Sequence, residues 1–340
     1  MSAASKSSLT AFVSGANGYI AAQLIDQLLH LGYSVIGSVR SADKGDYLVK
    51  NFNSSHFKYE IVPVLEKEGA FDEALTKHPN VSVFFHTASP VLDVSTVTNP
   101  EAQVLAPAIN GTKNVLASIK KSSPQVERVV FTSSIVATWD RSQGIVRATE
   151  ETWNPVTYEE AVTNKTVAYS ASKTYAERAA WDFLTQQKPN FTLSVINPVY
   201  VLGPQTFNES VNNLNMTAKL VTNVLDFKPN EPIPALEGRF IDVRDVAKAH
   251  ILASQKDEAQ GKRFILVADF YNNDTLVNII RKNFPELQSK LPVVEKEADV
   301  SINMELKDDN ARNILNIDYI SLETSVVDSV KQYLTYKKDN

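Results

Sequence analysis

Tyrosine precedes lysine by four positions twice in this 340-residue chain, at Tyr169–Lys173 and at Tyr333–Lys337. On a helix, positions i and i+4 share a face, so each pair can set an ammonium beside a phenol. A chain with 12 tyrosines and this many lysines is expected to hold roughly one such pair by accident, so the spacing alone selects neither. The chemistry at stake is proton transfer. A phenol titrates near pH 10 and exchanges protons poorly at neutral pH unless a nearby cation stabilises its phenolate, each unit of lowering being worth about 1.4 kcal/mol. Lys173 is placed to do this for Tyr169, which can then protonate a carbonyl oxygen as hydride reaches the carbonyl carbon. A second donor must hold that oxygen and share its developing charge. FTSSIVA, from Phe131, offers Ser133 and Ser134 just after an apolar run. Tyr333 stands in the C-terminal tail, far in sequence from any such hydroxyl pair, and reads as a surface or packing residue.

These side chains need a frame to hold them. LTAFVSG (from Leu9), SVIGSVR (from Ser34), KYEIVPVL (from Lys58), VSVFFHTAS (from Val81), VERVVFTSS (from Val126) and FTLSVINPVYV (from Phe191) are short, apolar, β-rich runs. Helical periodicity lies between them, at Tyr19 to Leu31, closing on Gly32, at Pro100 to Lys121 and at Val167 to Gln187. Near-continuous apolar strands separated by helices mean a parallel sheet covered on both faces. The expected fold is α/β, a Rossmann-like doubly wound parallel sheet with a smaller C-terminal lobe. Beyond about Gly203 the pattern loosens into Asn- and Pro-rich connections. FIDVRDVAKAHILAS (from Phe240) and KRFILVAD (from Lys262) then return to a helix and a strand that can join the same sheet.

VSGANGYIAA puts Gly15 and Gly18 directly after the first strand and at the mouth of the first helix, with Ala21 where a third glycine would allow close helix–strand packing. A pyrophosphate needs close backbone approach there, and the free N–H groups and dipole of the helix N-terminus attract it. The alternative is a plain tight turn. The second strand ends at Arg40, where an NAD-specific fold would carry an acid for the ribose 2′-hydroxyl. Arg40 can grip a 2′-phosphate bidentately, with Lys44 adding charge. That favours NADP(H), although Asp43 and Asp46 nearby keep NAD(H) open. Dinucleotide-binding domain boundaries of 1–200 and about 239–270 follow, with a substrate lobe of about 201–238 and 271–340.

Composition narrows the partners. Hydrophobic content of 43% and charged content of 21% are those of a soluble globular protein. A net charge of −5, with no Lys/Arg run longer than two, offers no footprint for nucleic acid or an anionic membrane. Without cysteine there is no disulfide or thiolate metal site, which fits a reducing compartment. No signal-peptide core and no ~20-residue apolar span is present, so the expected location is cytoplasmic. The five histidines show no metal-ligand spacing, and no metal is expected.

Gly15-Ala16-Asn17-Gly18, Thr132-Ser133-Ser134, Tyr169-x-x-x-Lys173, Asn197-Pro198-Val199-Tyr200-Val201 and Phe240-Ile241-Asp242-Val243-Arg244-Asp245-Val246, in that order, resemble the extended short-chain dehydrogenase/reductases. Within them the chain is similar to the dihydroflavonol-reductase-like branch and the yeast NADPH-dependent methylglyoxal/aldehyde reductases. The resemblance implies Ser134, rather than Ser133, as catalytic serine, Tyr169 as general acid and Lys173 as its activator. It implies NADPH contacts from Gly15, Ala16, Asn17, Gly18, Tyr19, Ile20, Arg40 and Lys44, and further ones from Leu65, Pro198, Val201 and Thr217. His86, Thr87, Ala88 and Ser89 would line the cofactor cleft after the fourth strand, where an ordinary strand-end loop is the alternative. Val64-Leu65 departs from the Asp-hydrophobic pair usual after the third strand, leaving Leu65 to pack on adenine without a carboxylate beside it. Val91, Ile135, Trp139, Thr166 and Tyr200 would flank a small aldehyde, α-dicarbonyl or ketone, with packing between lobes the alternative for Trp139. The expected protein is a monomer or homodimer. The rivals are a nucleotide-sugar epimerase or dehydratase that shares the same three residues, and a cofactor-sensing regulator without catalysis.

Overall fold

The structure, a computed structural model, describes residues 9–89, 96–140, 145–295 and 304–339. In chain order its strands are β1 (Thr10–Ser14), β2 (Ser34–Val39), β3 (Phe57–Ile61), β4 (Val81–His86), β5 (Arg128–Thr132), β6 (Val146–Ala148), β7 (Thr192–Pro198), β8 (Tyr200–Leu202), β9 (Glu237–Asp242), β10 (Arg263–Leu266), β11 (Asp269–Asn272) and β12 (Met304–Leu306). Its helices are α1 (Tyr19–His30), α2 (Ala42–Phe52), α3 (Asp72–Thr76), α4 (Ala106–Ser122), α5 (Tyr158–Thr163), α6 (Lys165–Gln187), α7 (Met216–Asn223), α8 (Val243–Gln255), α9 (Asn273–Asn283) and α10 (Leu322–Asp339).

Seven strands form one all-parallel sheet in the order β10-β7-β5-β4-β1-β2-β3. This is the doubly wound sheet expected from the alternation of apolar runs and helices. Side chains alternate across a strand, and β1 shows the consequence. Ala11 and Val13 belong to a core with Leu24 and Ile25 of α1 and Val246 of α8, while Phe12 belongs to the opposite core with Phe84, Val115 and Leu116. A smaller sheet, β11-β9-β8, carries a third core of Leu202, Val221, Phe240, Tyr271, Ile280 and Val326, and β12 pairs with β6.

Three elements differ from the sequence reading. The run from Phe191 is two strands in two sheets, because Pro198 ends β7 without an N–H for the ladder and the chain then crosses to pair β8 with β9. Phe240 to Asp242 close a strand, and helix α8 begins only at Val243, where the buried Asp242 carboxylate accepts from Arg244 N–H as its N-cap. The helical stretch from Pro100 opens as a π-helical turn, Glu101–Leu105, before α4. In addition Ala311 and Leu315, from a segment reckoned with the small lobe, pack in the core that lies against α1 and α8.

Candidate active site

The strand order reverses between β1 and β4, and α/β sheets bind ligands in the crevice at such a reversal. Gly15, after β1, has φ +67°, a left-handed conformation suited to glycine, and a Cβ on it would lie 3.0 Å from Ala88, after β4. Ser14 locks the two strand ends together: its hydroxyl accepts from Thr87 and Ala88 N–H, both at 3.1 Å, and bonds His86 Nδ1 at 2.8 Å. Ala16 N–H donates to Ser38 O at 2.8 Å, and Gly37 makes room for Ala16, whose Cβ would be 2.6 Å from any Cβ there. Asn17 and Gly18 stay exposed, and no side chain caps α1. Its first N–H groups therefore face outward for an anionic ligand, so the turn fits a dinucleotide pyrophosphate. Tyr19 reaches across to donate to Gly203 O at 2.6 Å, and Ile20 beside it is half-buried.

Arg40, at the end of β2, is exposed, and Lys44 is half-buried on the first turn of α2. Neither has an ion-pair partner within 4.0 Å among the described residues. Of the two acids that kept NAD(H) open, Asp46 is engaged by Tyr59 Oη at 2.7 Å, and Asp43 stays exposed on the first turn of α2. A phosphomonoester at this corner would meet two cations and an uncapped helix start. Leu65 packs over Gly111 of α4, where a Cβ would fall 2.8 Å from its Cγ.

The proton-transfer residues meet at the C-terminal ends of β5 and β7. Asn164 caps α6 by accepting from Thr166 N–H at 3.0 Å, and Lys188 closes the helix in the left-handed conformation before Pro189. Tyr169 and Lys173 lie on its first turns, Tyr169 half-buried and Lys173 6% exposed. Ser133 and Ser134 follow β5, Ser134 in extended backbone, and the two side chains go to different partners. The Ser134 hydroxyl lies near enough to the Tyr169 phenol to favour its ionised form, and it accepts from Val136 N–H at 3.4 Å. Ser133 turns into the interior and donates to Glu177 Oε2 at 2.6 Å.

The electrostatics differ from the sequence expectation. Burial pushes the Tyr169 phenol above its ordinary value, with the Ser134 hydroxyl opposing it and the nearby Tyr200 phenol adding to it. Burial also lowers the Lys173 ammonium to about 8, countered by Glu177 one turn onward. The reason is desolvation: both ionised forms lose water here, and one ammonium among this chain's own groups does not offset that. His86, under the site, is held neutral, its value lowered to about 3 by burial and by Lys173.

The remaining expected residues surround this centre unevenly. Pro198 ends β7, Val201 lies in β8, and Thr217 is half-buried on α7, which packs on β8. Ile135 is buried beside Ser134, Trp139 is half-buried in the large core, and Tyr200 is 41% exposed with its ring edge-on to Tyr271 at 6.1 Å. Thr166 is exposed and its hydroxyl is committed to the Asn164 cap at 2.6 Å. Ser89 is half-buried after β4. Val91 lies outside the described residues.

Sequence reasoning passed over Ser14, Gly37 and Glu177, and named His86 only within the stretch expected to line the cofactor cleft. The local signal at Ser14 and Gly37 is a polar or vanishing side chain inside an apolar run, and Glu177, in a mixed helical stretch, has none. Among the described residues no three His, Cys, Asp or Glu side chains group as metal ligands, and no helix is long and apolar enough to cross a membrane. Tyr333 lies under Lys337, whose ammonium is 5.8 Å from the ring centre on α10.

The family described as NAD dependent epimerase/dehydratase matches residues 11–268. The NADPH-dependent methylglyoxal reductase of Saccharomyces cerevisiae is 38% identical, over 97% of this chain and 99% of its own. A ketoreductase of Aspergillus niger is 36% identical, over 95% and 96% respectively. The crystal structure of Gre2 from Candida albicans in complex with NADPH superposes with a TM-score of 0.91 at 40% identity, over 96% of this chain and 99% of that one.

Proposed function

Since the chain belongs to the NAD dependent epimerase/dehydratase family, we propose that it is an NADPH-dependent carbonyl reductase acting on small aldehydes, α-dicarbonyls of the methylglyoxal type or prochiral ketones. The observation that carries this reading is the Tyr169 phenol brought beside the Ser134 hydroxyl, one turn from the buried Lys173, at the ligand-binding edge of the sheet. Full-length similarity to reductases named for NADPH and for methylglyoxal supports the same class.

In this reading the pyrophosphate lies on Gly15, Ala16, Asn17, Gly18 and Ile20, the 2′-phosphate on Arg40 and Lys44, and adenine against Leu65. Thr87, Ala88, Ser89, Pro198, Val201 and Thr217 line the rest of the cofactor. NADPH supplies the hydride. Ser134 hydrogen-bonds the carbonyl oxygen, and Tyr169 gives it a proton as negative charge develops there. Lys173, as an ammonium, supports the phenolate so formed. Carbonyl, hydride and proton together make the alcohol. Residues 1–200 and about 239–270 hold the dinucleotide, and the lobe of about 201–238 and 271–340, with Ile135, Trp139 and Tyr200 at the junction, walls the substrate. Such a pocket is mostly apolar and discriminates weakly among small carbonyl compounds. The reading extends to a cytosolic enzyme, in keeping with a chain free of cysteine.

Spectrophotometric oxidation of NADPH against NADH, over a panel of aldehydes, α-dicarbonyls and ketones, tests the proposal. Stoichiometric NADPH consumption with alcohol formation is expected. Turnover of a nucleotide sugar with no net release of oxidised cofactor would replace it with an epimerase.

A further inference from the structure

Glu177 lies one turn beyond Lys173 on α6 and is fully buried. Its Oε2 accepts from Ser133 Oγ at 2.6 Å and from Asn197 Nδ2 at 2.8 Å, and its Oε1 from Arg263 Nε at 2.6 Å. Asn197, on β7, also donates to the backbone carbonyl of Ser134 at 3.2 Å. Arg263, on β10, is anchored in turn: its Nη1 donates to Thr152 O at 2.6 Å and Glu150 O at 3.2 Å, and its guanidinium lies 4.0 Å over the Trp153 ring. One carboxylate thus joins the helix of Tyr169 and Lys173 to the strand end of Ser134 and to two further strands. A buried ion pair of this kind seldom stabilises a fold more than apolar residues of equal volume would, so the arrangement asks for another reason.

We propose that Glu177 is a positioning residue for the reduction: clamped by Arg263, it fixes the Ser133–Ser134 turn directly and through Asn197, and it supplies the counter-charge that keeps Lys173 an ammonium. The inference rests on the reductase reading above. Among the described residues the groups facing Lys173 are few. Tyr169 and Glu177 are on its own helix, and His86, neutral as described, is at the end of β4. The buried side of α4 offers Ala108, Gly111, Thr112 and Val115, none charged. The π-helical turn's Glu101 and the α5 residues Glu159 and Glu160 are exposed, and Ile135 to Ala137 bring no titratable group. Among the described residues Glu177 is therefore the carboxylate that acts on Lys173, and Arg263 holds it in place.

The test is the pH profile of kcat/KM, with NADPH affinity measured separately by fluorescence. Glu177→Gln should bind NADPH within about threefold of the parent, lose about tenfold or more in kcat, and move the alkaline limb, expected near pH 8 from Lys173, to lower pH by about half a unit or more. Because Glu177→Gln leaves Arg263 buried without its partner, the double variant Glu177→Gln/Arg263→Met is measured beside it. It removes the stranded cation with the carboxylate, so a limb shift in the same direction but smaller than the single variant's, with a thermal midpoint near the parent's, is expected. An unshifted limb with kcat within about twofold of the parent, in whichever of the two folds, overturns the positioning role. A parent that oxidises no NADPH with any carbonyl compound overturns the reductase reading and this inference with it.

Discussion

Two helices of the molecule carry the same spacing and make different things of it. On α10, Lys337 is exposed and rests over the face of Tyr333, a cation–π contact at the surface. On α6, Lys173 is buried beneath the crevice, and the phenol one turn before it lies beside a serine delivered by the end of β5. Helix geometry makes both pairs neighbours. What separates them is water and company: the surface pair stays solvated, whereas the buried pair has lost its water and must be balanced by Ser134, Glu177 and a bound ligand. The teaching is that an i, i+4 pair becomes chemistry only where the fold removes solvent and adds a third group.

That contrast can be broken in several ways. Tyr169→Phe should lower kcat by about 10³-fold with NADPH affinity unchanged, and Tyr333→Phe should match the parent. Equal activity in the two variants would erase the distinction between the helices. Ser134→Ala should cost about 10²-fold in kcat by removing a donor to the reacting oxygen, and a loss under twofold would mean that Tyr169 needs no third group. Arg40 asks whether exposure alone makes a cation idle. Arg40→Ala should raise KM for NADPH by about 10- to 30-fold and leave KM for NADH within twofold, as expected for a lost charge-assisted bond to phosphate, and steady-state kinetics with both cofactors decide it.

The smallest effect concerns stability. The Lys173 ammonium is lowered to about 8 in the fold, below its value in the unfolded chain, so its charged form is disfavoured by folding. That penalty is fully present below about pH 8 and disappears as pH rises towards about 10.5. Lys173→Met should therefore be more stable than the parent by about 2 kcal/mol at pH 7, with the gap closing between pH 8 and 10.5, while losing activity. Lys337→Met, at an exposed site, should change stability by no more than about 0.5 kcal/mol. Denaturant unfolding at pH 7 and pH 10 reads both, and a parent more stable than Lys173→Met at pH 7 would contradict the burial account.

The alternation of apolar runs and helical periodicity, the glycine turn after the first strand and the nearness of Tyr169 to Lys173 were all legible in the amino-acid order. Each depends on interactions within a few residues, which side-chain period and backbone preference dictate. The residues by themselves left Ser133 and Ser134 equal and the family resemblance pointed to Ser134; the physical reason lies in packing, which aims Ser133 at Glu177 and leaves the Ser134 hydroxyl beside Tyr169. Tertiary structure alone broke the run after Pro198 into two sheets, buried Lys173 deeply enough to shift it, and brought Arg263 to Glu177. Those outcomes rest on contacts between residues remote in sequence, such as Tyr19 with Gly203 across 184 positions. No local pattern encodes such a contact, because its energy is gained only when the whole sheet has assembled and excluded water.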